Sequence, residues 1–173
     1  YIGMKIFHKL AGVLKSLFQL FYKSGQEFND TQNKLINISG DKGIRLRAKK
    51  YKIFFARYGK GVTIDTGCFF TQPQNIVLED DVRINRGCKI YGSGGVYIGR
   101  HTRIGPNVFI HSANHKSNKT GTPQYQSGHE IKKVSIGDGT LISENVSVLP
   151  GAIIGKECFF GAGSVVTNKK YTE

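Results

Sequence analysis

Residues 136–167 read IGDGTL ISENVS VLPGAI IGKECF FGAGSV VT, and broken at every sixth position they fall into columns. The first column is Ile136, Ile142, Val148, Ile154, Phe160 and Val166, always apolar and mostly β-branched. The fifth is Thr140, Val146, Ala152, Cys158 and Ser164, always small, and Gly137, Gly155 and Gly161 stand in the second. An α-helix repeats every ~3.6 residues and a strand every second one, so neither alone carries this pattern. A six-residue period with an apolar first position describes a parallel β-helix, in which each unit supplies one short strand and a corner.

The same frame runs upstream. Ile98, Ile104 and Ile110 go with Thr102 and Val108; Leu78, Ile84 and Ile90 with Val82 and Cys88; Tyr58, Ile64 and Phe70 with Val62 and Cys68. The frame slips by two residues after Phe70, by two after Ile90 and by twenty after Ile110, but not after Val148. Every slip follows a multiple of three units. Three units therefore make one triangular turn, with insertions leaving at one corner, and the body from Tyr58 holds about five turns.

Charge divides the chain differently. The formal net charge is +13, from 25 Lys and Arg against 12 Asp and Glu, and residues 1–60 hold 13 of the former and 3 of the latter. Such a balance favours anionic partners. No nucleic-acid motif accompanies it, so nucleic acid is not expected. Residues 1–30 form a basic N-terminal region, with Met4 as the natural-start candidate. Within 4–23, Ile6, Leu10, Val13, Leu14, Leu17 and Phe21 fall at helical spacing among Lys5, Lys9, Lys15 and Lys23. The lysines break the apolar run short of the ~20 residues that span a bilayer, and no secretory cleavage pattern follows. Two readings stay open: a helix lying on an anionic membrane, or one packed on the coil or a neighbouring subunit. Residues 31–57, with Leu35-Ile36-Asn37-Ile38 and Ile44-Arg45-Leu46, are expected to form an irregular turn capping strand edges that would otherwise meet solvent. Cys68, Cys88 and Cys158 all occupy the fifth column, which makes them small corner residues rather than zinc ligands or disulfide partners. They suit a reducing, cytoplasmic setting, with the inner membrane face the place for a docked 4–23 segment.

The chemistry belongs where the period fails. Residues 115–133, HKSNKTGTPQYQSGHEIKK, are polar and aperiodic, a long loop on a rigid coil. His115 stands at its root, held by scaffold yet accessible, and an imidazole titrating near pH ~6.5 is suited to take a hydroxyl proton. His111 points outward four residues earlier as a neighbour of the site; His101 and His129 have no supporting context. The Asn85 amide can donate to one hydroxyl and accept from another.

The segment IGPNVFIHSANHK (104–116), the polar loop and VSIGDGTLISENVSVLPGAIIGKECFFGAGSVVTNKK (134–170) resemble the hexapeptide-repeat acyltransferases. Within them the likeness is to the sugar O-acetyltransferases, the galactoside, maltose and polysaccharide enzymes, over roughly residues 78–170. The resemblance implies an all-β, left-handed parallel β-helix, against the usual hand of parallel crossovers, here with an N-terminal helical extension. It implies a homotrimer with sites between subunits, acetyl-coenzyme A as donor, no metal, and a sugar or polysaccharide acceptor. His115 is the implied catalytic base and Asn85 an acceptor contact. Coenzyme A would lie along Ser143 and Glu144, Gly161 and Ala162, then Thr167, Asn168 and Lys169, with Lys170 also near its phosphates. Small residues there let backbone N–H groups come close. The chain departs from the family at Leu141, commonly Trp, at Gly87, commonly a second Asn, and at Asn168, commonly Lys. The basic N-terminus turns the expected acceptor towards a capsule, exopolysaccharide or lipopolysaccharide precursor. Rivals are an N-acetyltransferase of nucleotide amino sugars, an antibiotic acetyltransferase, and a non-catalytic membrane-docking trimer, which a His at the loop root disfavours. A β-helix carbonic anhydrase needs three zinc-binding His, and no third His here is repeat-related.

Overall fold

A computed structural model of the chain describes residues 24–116 and 126–172. The helix read over 4–23 and the loop tip 117–125 lie outside the described residues. Short strands stack into three parallel sheets, the faces of a triangular coil. The first face holds Arg57–Tyr58, Ile76–Leu78, Val96–Ile98, Val134–Ile136, Ile153–Ile154 and Lys170–Tyr171. The second holds Thr63–Ile64, Arg83–Ile84, Arg103–Ile104, Leu141–Ile142 and Phe159–Phe160, and the third Phe69–Thr71, Lys89–Tyr91, Phe109–His111, Ser147–Val148 and Val165–Val166.

Register follows the first column of the repeat. Ile64, Ile84, Ile104, Ile142 and Phe160 are successive partners up the second face, and Phe70, Ile90, Ile110, Val148 and Val166 up the third. Ile104, Ile110, Ile136, Ile142 and Val148 are wholly buried. At about 1.5–3 kcal/mol for each such side chain, this inner column is the main favourable term. The fifth column is buried beneath it as far as Cys158, and four of its members bond upward to the next turn. Thr102 Oγ1 donates to Gly137 O at 3.0 Å and Thr140 Oγ1 to Gly155 O at 3.0 Å. Cys68 and Cys88 do the same with Asn85 O and Gly105 O, and all three cysteines are free and buried.

Corners are made by the fourth position. Asp81, His101, Asn107, Asn145 and Glu157 adopt φ between 56° and 58°, and Gly87 and Gly163 stand in the same role at 73°. That left-handed conformation suits Gly, Asn and Asp and strains His101 and Glu157. Insertions leave at the corner between the third face and the first, after Thr71, Tyr91 and His111.

The expectation of an irregular turn over 31–57 is corrected. Residues 24–35 (α1, which runs past the boundary read at 30) and Gly40–Tyr51 (α2) are helices seated on the open first turn. The buried positions of α2 are Gly43, Arg47 and Tyr51, spaced by four, so the helical period is carried partly by polar residues. The short apolar alternation of Ile44 and Leu46 hid it. These helices treat the exposed edge as another strand would. Gln32 Oε1 accepts from Phe70 N at 2.8 Å while its Nε2 donates to Phe70 O at 3.3 Å. Arg47, wholly buried, donates to Ile64 O at 2.9 Å and to Leu35 O and Ile38 O at 2.8 Å each. Phe28, Tyr51, Phe55 and Phe70 pack edge to face over the same opening. Burial pushes the Tyr51 phenol up to about 12.

Candidate functional site

The twenty-residue interruption leaves the coil as a two-stranded arm. Ala113–His115 pairs antiparallel with His129–Ile131, placing His115 opposite His129. The two rings lie 4.4 Å apart, tilted by 38°. His115 is exposed, and its backbone N–H donates to Asn114 Oδ1 at 2.9 Å. Buried Ser112 anchors the arm: its Oγ donates to Tyr91 O at 2.7 Å and accepts from Gly94 N at 2.8 Å, and its carbonyl accepts from Lys132 N at 3.0 Å. Lys132 Nζ pairs with Glu130 at 2.8 Å. With its amide oriented to suit its neighbours, Asn168 donates to Gly151 O at 3.0 Å and accepts from Lys132 Nζ at 3.1 Å. The root of the arm is thus pinned to the turn below and the turn above.

His111 is half-buried on the third face, its ring 5.3 Å from Tyr91 and 5.4 Å from Phe109. Burial lowers its pKa from the ordinary value, and the charges of His129 and His115 lower it further. Sequence spacing gives no sign of His129, because a loop without periodicity carries it back across from His115. The only available signal was two His residues bracketing that loop.

The remaining site residues divide between two corners. Asn85, Ser143, Glu144, Gly161 and Ala162 line the corner between the second and third faces, each stacked on its equivalent in a neighbouring turn. Asn85 Nδ2 donates to Ile104 O at 3.1 Å, which leaves its oxygen and second N–H to the exterior. A Cβ on Gly161 would meet nothing within 4 Å, so backbone there is open to a ligand. His115 belongs to the other corner, between the third face and the first, along with Thr167, Asn168 and Lys169. Thr167 N–H donates to Tyr171 Oη at 2.9 Å. Asn85 is one turn below the His115 segment, as read from sequence, but at the opposite end of the strand. Six residues separate equivalent corner positions, at most about 20 Å of extended chain.

Among the described residues no cluster of His, Cys, Asp and Glu could hold a metal ion, and no helix is long and apolar enough to cross a membrane.

A three-faced coil with a histidine-bearing arm at one corner defines a recognisable class. Residues 133–168 match the bacterial transferase hexapeptide family, with six repeats. The fold superposes on a maltose O-acetyltransferase from Clostridium difficile 630 with a TM-score of 0.78, covering 88% of this chain and 80% of that one at 24% identity. It superposes on a galactoside acetyltransferase in complex with coenzyme A with a TM-score of 0.72, covering 82% and 69% at 22% identity. In sequence the chain is 36% identical over 119 residues to the galactoside O-acetyltransferase of Lactococcus lactis, covering 66% of this chain and 48% of that protein. It is 39% identical over 98 residues to an Escherichia coli K12 protein provisionally named a lipopolysaccharide biosynthesis O-acetyl transferase, covering 53% and 50%. The chain spans about half the length of these curated relatives. The chain is a parallel β-helix with the hexapeptide repeat, similar in fold and in sequence to hexapeptide-repeat acyltransferases, sugar O-acetyltransferases among them.

Proposed function

We propose that the chain transfers an acetyl group from acetyl-coenzyme A to a saccharide hydroxyl, with His115 as general base. The carrying observation is the placement of His115: exposed, at the root of an arm pinned on both sides to the coil. The relatives' names supply the donor and acceptor classes; the Escherichia coli relative favours a cell-surface polysaccharide or its precursor. In this reading the imidazole takes the hydroxyl proton as the oxygen attacks the thioester carbonyl. The tetrahedral intermediate collapses, the carbon–sulfur bond breaks, and the imidazolium returns its proton to the departing thiolate. His129 stacks on the base, and Asn85 holds the acceptor.

The split between two corners supports a second element of the proposal, a homotrimer. The acceptor and donor contacts at one corner lie a strand's length from the base at the other, so a groove between two copies brings one protomer's corner to its partner's. Ser143, Glu144, Gly161, Ala162, Thr167, Asn168 and Lys169 would then hold the coenzyme along that groove. The basic N-terminal segment, if docked on anionic lipid, keeps the enzyme near lipid-linked acceptors.

Thiol release from acetyl-coenzyme A, measured against a panel of saccharides, tests the reading. Saccharide-dependent release that disappears in His115→Ala is expected. Release indifferent to every saccharide, or unchanged in His115→Ala, overturns it. Light scattering showing an active species at the monomer mass of 19.2 kDa would overturn the trimer.

A further inference from the structure

The third face carries a pocket that none of these assignments uses. An open depression of about 430 Å³ is lined by Gly87, Lys89, Tyr91, Asn107, Val108 and Phe109, on the outside of the coil between the Asn85 corner and the His115 corner. Its floor is aromatic: Tyr91 and Phe109 stand edge to face at 5.2 Å, Phe69 continues the row at 6.3 Å from Tyr91, and His111 closes it at 5.3 Å. Aromatic faces of this kind pack against the C–H faces of sugar rings, and a few polar groups on an apolar floor are the usual make-up of a ligand site.

The polar side chains that line it or adjoin it are unengaged among the described residues. Lys89 and Asn107 line the pocket, and Arg86 stands three residues from Lys89 in the turn at its edge. The ion pairs of the described residues involve Arg57, His101, Lys132 and Lys156, and neither Arg86 nor Lys89. Among the described residues no hydrogen bond holds the Asn107 amide. The carboxylates on the same corner are Asp65, whose Oδ1 accepts from Thr66 N at 2.6 Å one turn below Asn85, and Glu144, two turns above Arg86. Neither forms an ion pair with these cations. Two unpaired cations, a free amide and an aromatic floor leave a complementary charge to be supplied from outside.

We propose that this face binds an acidic saccharide, with Arg86 and Lys89 reading a carboxylate or phosphate on the chain while Tyr91 and Phe109 pack against its rings. The proposal deepens the acetyl-transfer reading by naming the acceptor class. A glycan laid along the face runs from the pocket to the Asn85 corner, where the proposed groove would bring in the base of a neighbouring copy. Its acidic group engages the pocket while a neighbouring hydroxyl lies beyond it.

Titration calorimetry on the whole chain without donor tests this, with two matched pairs of probes. Tetragalacturonate against its methyl ester reports a carboxylate; maltotetraose bearing a 6-phosphate against maltotetraose reports a phosphate. One acidic member is expected to bind about tenfold tighter than its neutral partner, the gap closing as salt rises. Which pair shows the gap identifies the acid. Arg86→Gln with Lys89→Gln should abolish the preference, whereas Lys49→Gln with Lys50→Gln, which removes the same charge from the cap helix, should leave it. All four side chains are exposed, so the fold is not at stake. Equal binding within both pairs, no binding at all, no loss in the Arg86/Lys89 variant, or an equal loss in the Lys49/Lys50 variant would each overturn the proposal. The same titration on His115→Ala separates it from the catalytic reading: binding retained where transfer is absent sustains the acidic face whatever the fate of the base.

Discussion

Two corners of this coil follow opposite rules. Between the second and third faces, every turn closes in the same few atoms: Asp65, Asn85, Gly105, Ser143 and Gly161 stack in one column, and Gly67, Gly87, Asn107, Asn145 and Gly163 in the next, all of the latter with positive φ. Between the third face and the first, no two successive turns agree. A 3₁₀ turn at Pro73–Asn75 gives way to the glycine-rich Gly92–Gly95 stretch, then to the His115 arm, then to a tight turn at Gly151. The uniform corner offers repeated backbone positions that suit an elongated ligand. The variable one takes new chain between a few fixed points where it is hydrogen-bonded to the turns below and above, and there the proposed base sits.

The largest test of that contrast is chemical. His115→Ala should lower transfer by about 10²–10⁴-fold in a steady-state assay and leave the melting temperature unchanged, because the side chain is exposed. Loss of activity together with loss of fold would mean that the arm is structural. Next comes an insertion experiment. One residue added after Gly87 shifts Ile90 from the buried column to the outside, at a cost of about 2–5 kcal/mol in urea unfolding. The same residue added after Ser93 lengthens a corner that already accepts insertions and should cost less than about 1 kcal/mol. Equal costs would abolish the distinction between the corners.

A smaller effect sharpens it. Glu157 holds a left-handed corner conformation that costs an ordinary residue about 1–2 kcal/mol, and Gly recovers part of that against its greater freedom when unfolded. Glu157→Gly should therefore stabilise the chain by up to about 1 kcal/mol, read as a raised urea midpoint. The smallest effect concerns His111. Its folded pKa lies below the unfolded value of ~6.5, so the unfolded chain binds more protons in that interval and stability falls as pH drops from ~6.5 through the folded value. His111→Gln should flatten that part of the stability curve; an unchanged slope would rule out His111 as its source.

The coil was legible because its buried positions are aliphatic and its period is six. From Tyr58 to Val166 the first-column residues read from spacing are those that pair up the faces. The cap was not legible, because the inward positions of α2 are Gly43, Arg47 and Tyr51, and a search for apolar residues skips two of them. Corner chemistry was half legible. Asn107, Asn145, Asp81 and the glycines at the fourth position are what a left-handed turn selects, but His101 and Glu157 break that rule. For the proposed site, the turn each candidate residue occupies follows from the repeat, whereas the corner it occupies around the triangle was not read. Asn85 and His115 are one turn apart in sequence terms, yet a face of the coil lies between them. His129 faces the proposed base only through an antiparallel pairing that no repeat foreshadows.

The Gln32 side chain, with one N–H and one C=O turned towards Phe70, is a counterfeit peptide unit. It offers the first turn of the third face both halves of a ladder contact before any second turn exists. A stack that grows by adding one layer to another needs a first surface, and here that surface is made from residues synthesised ahead of the coil. The cap thus has the geometry of a seed, and the coil that of a one-dimensional crystal with one of its end faces already matched.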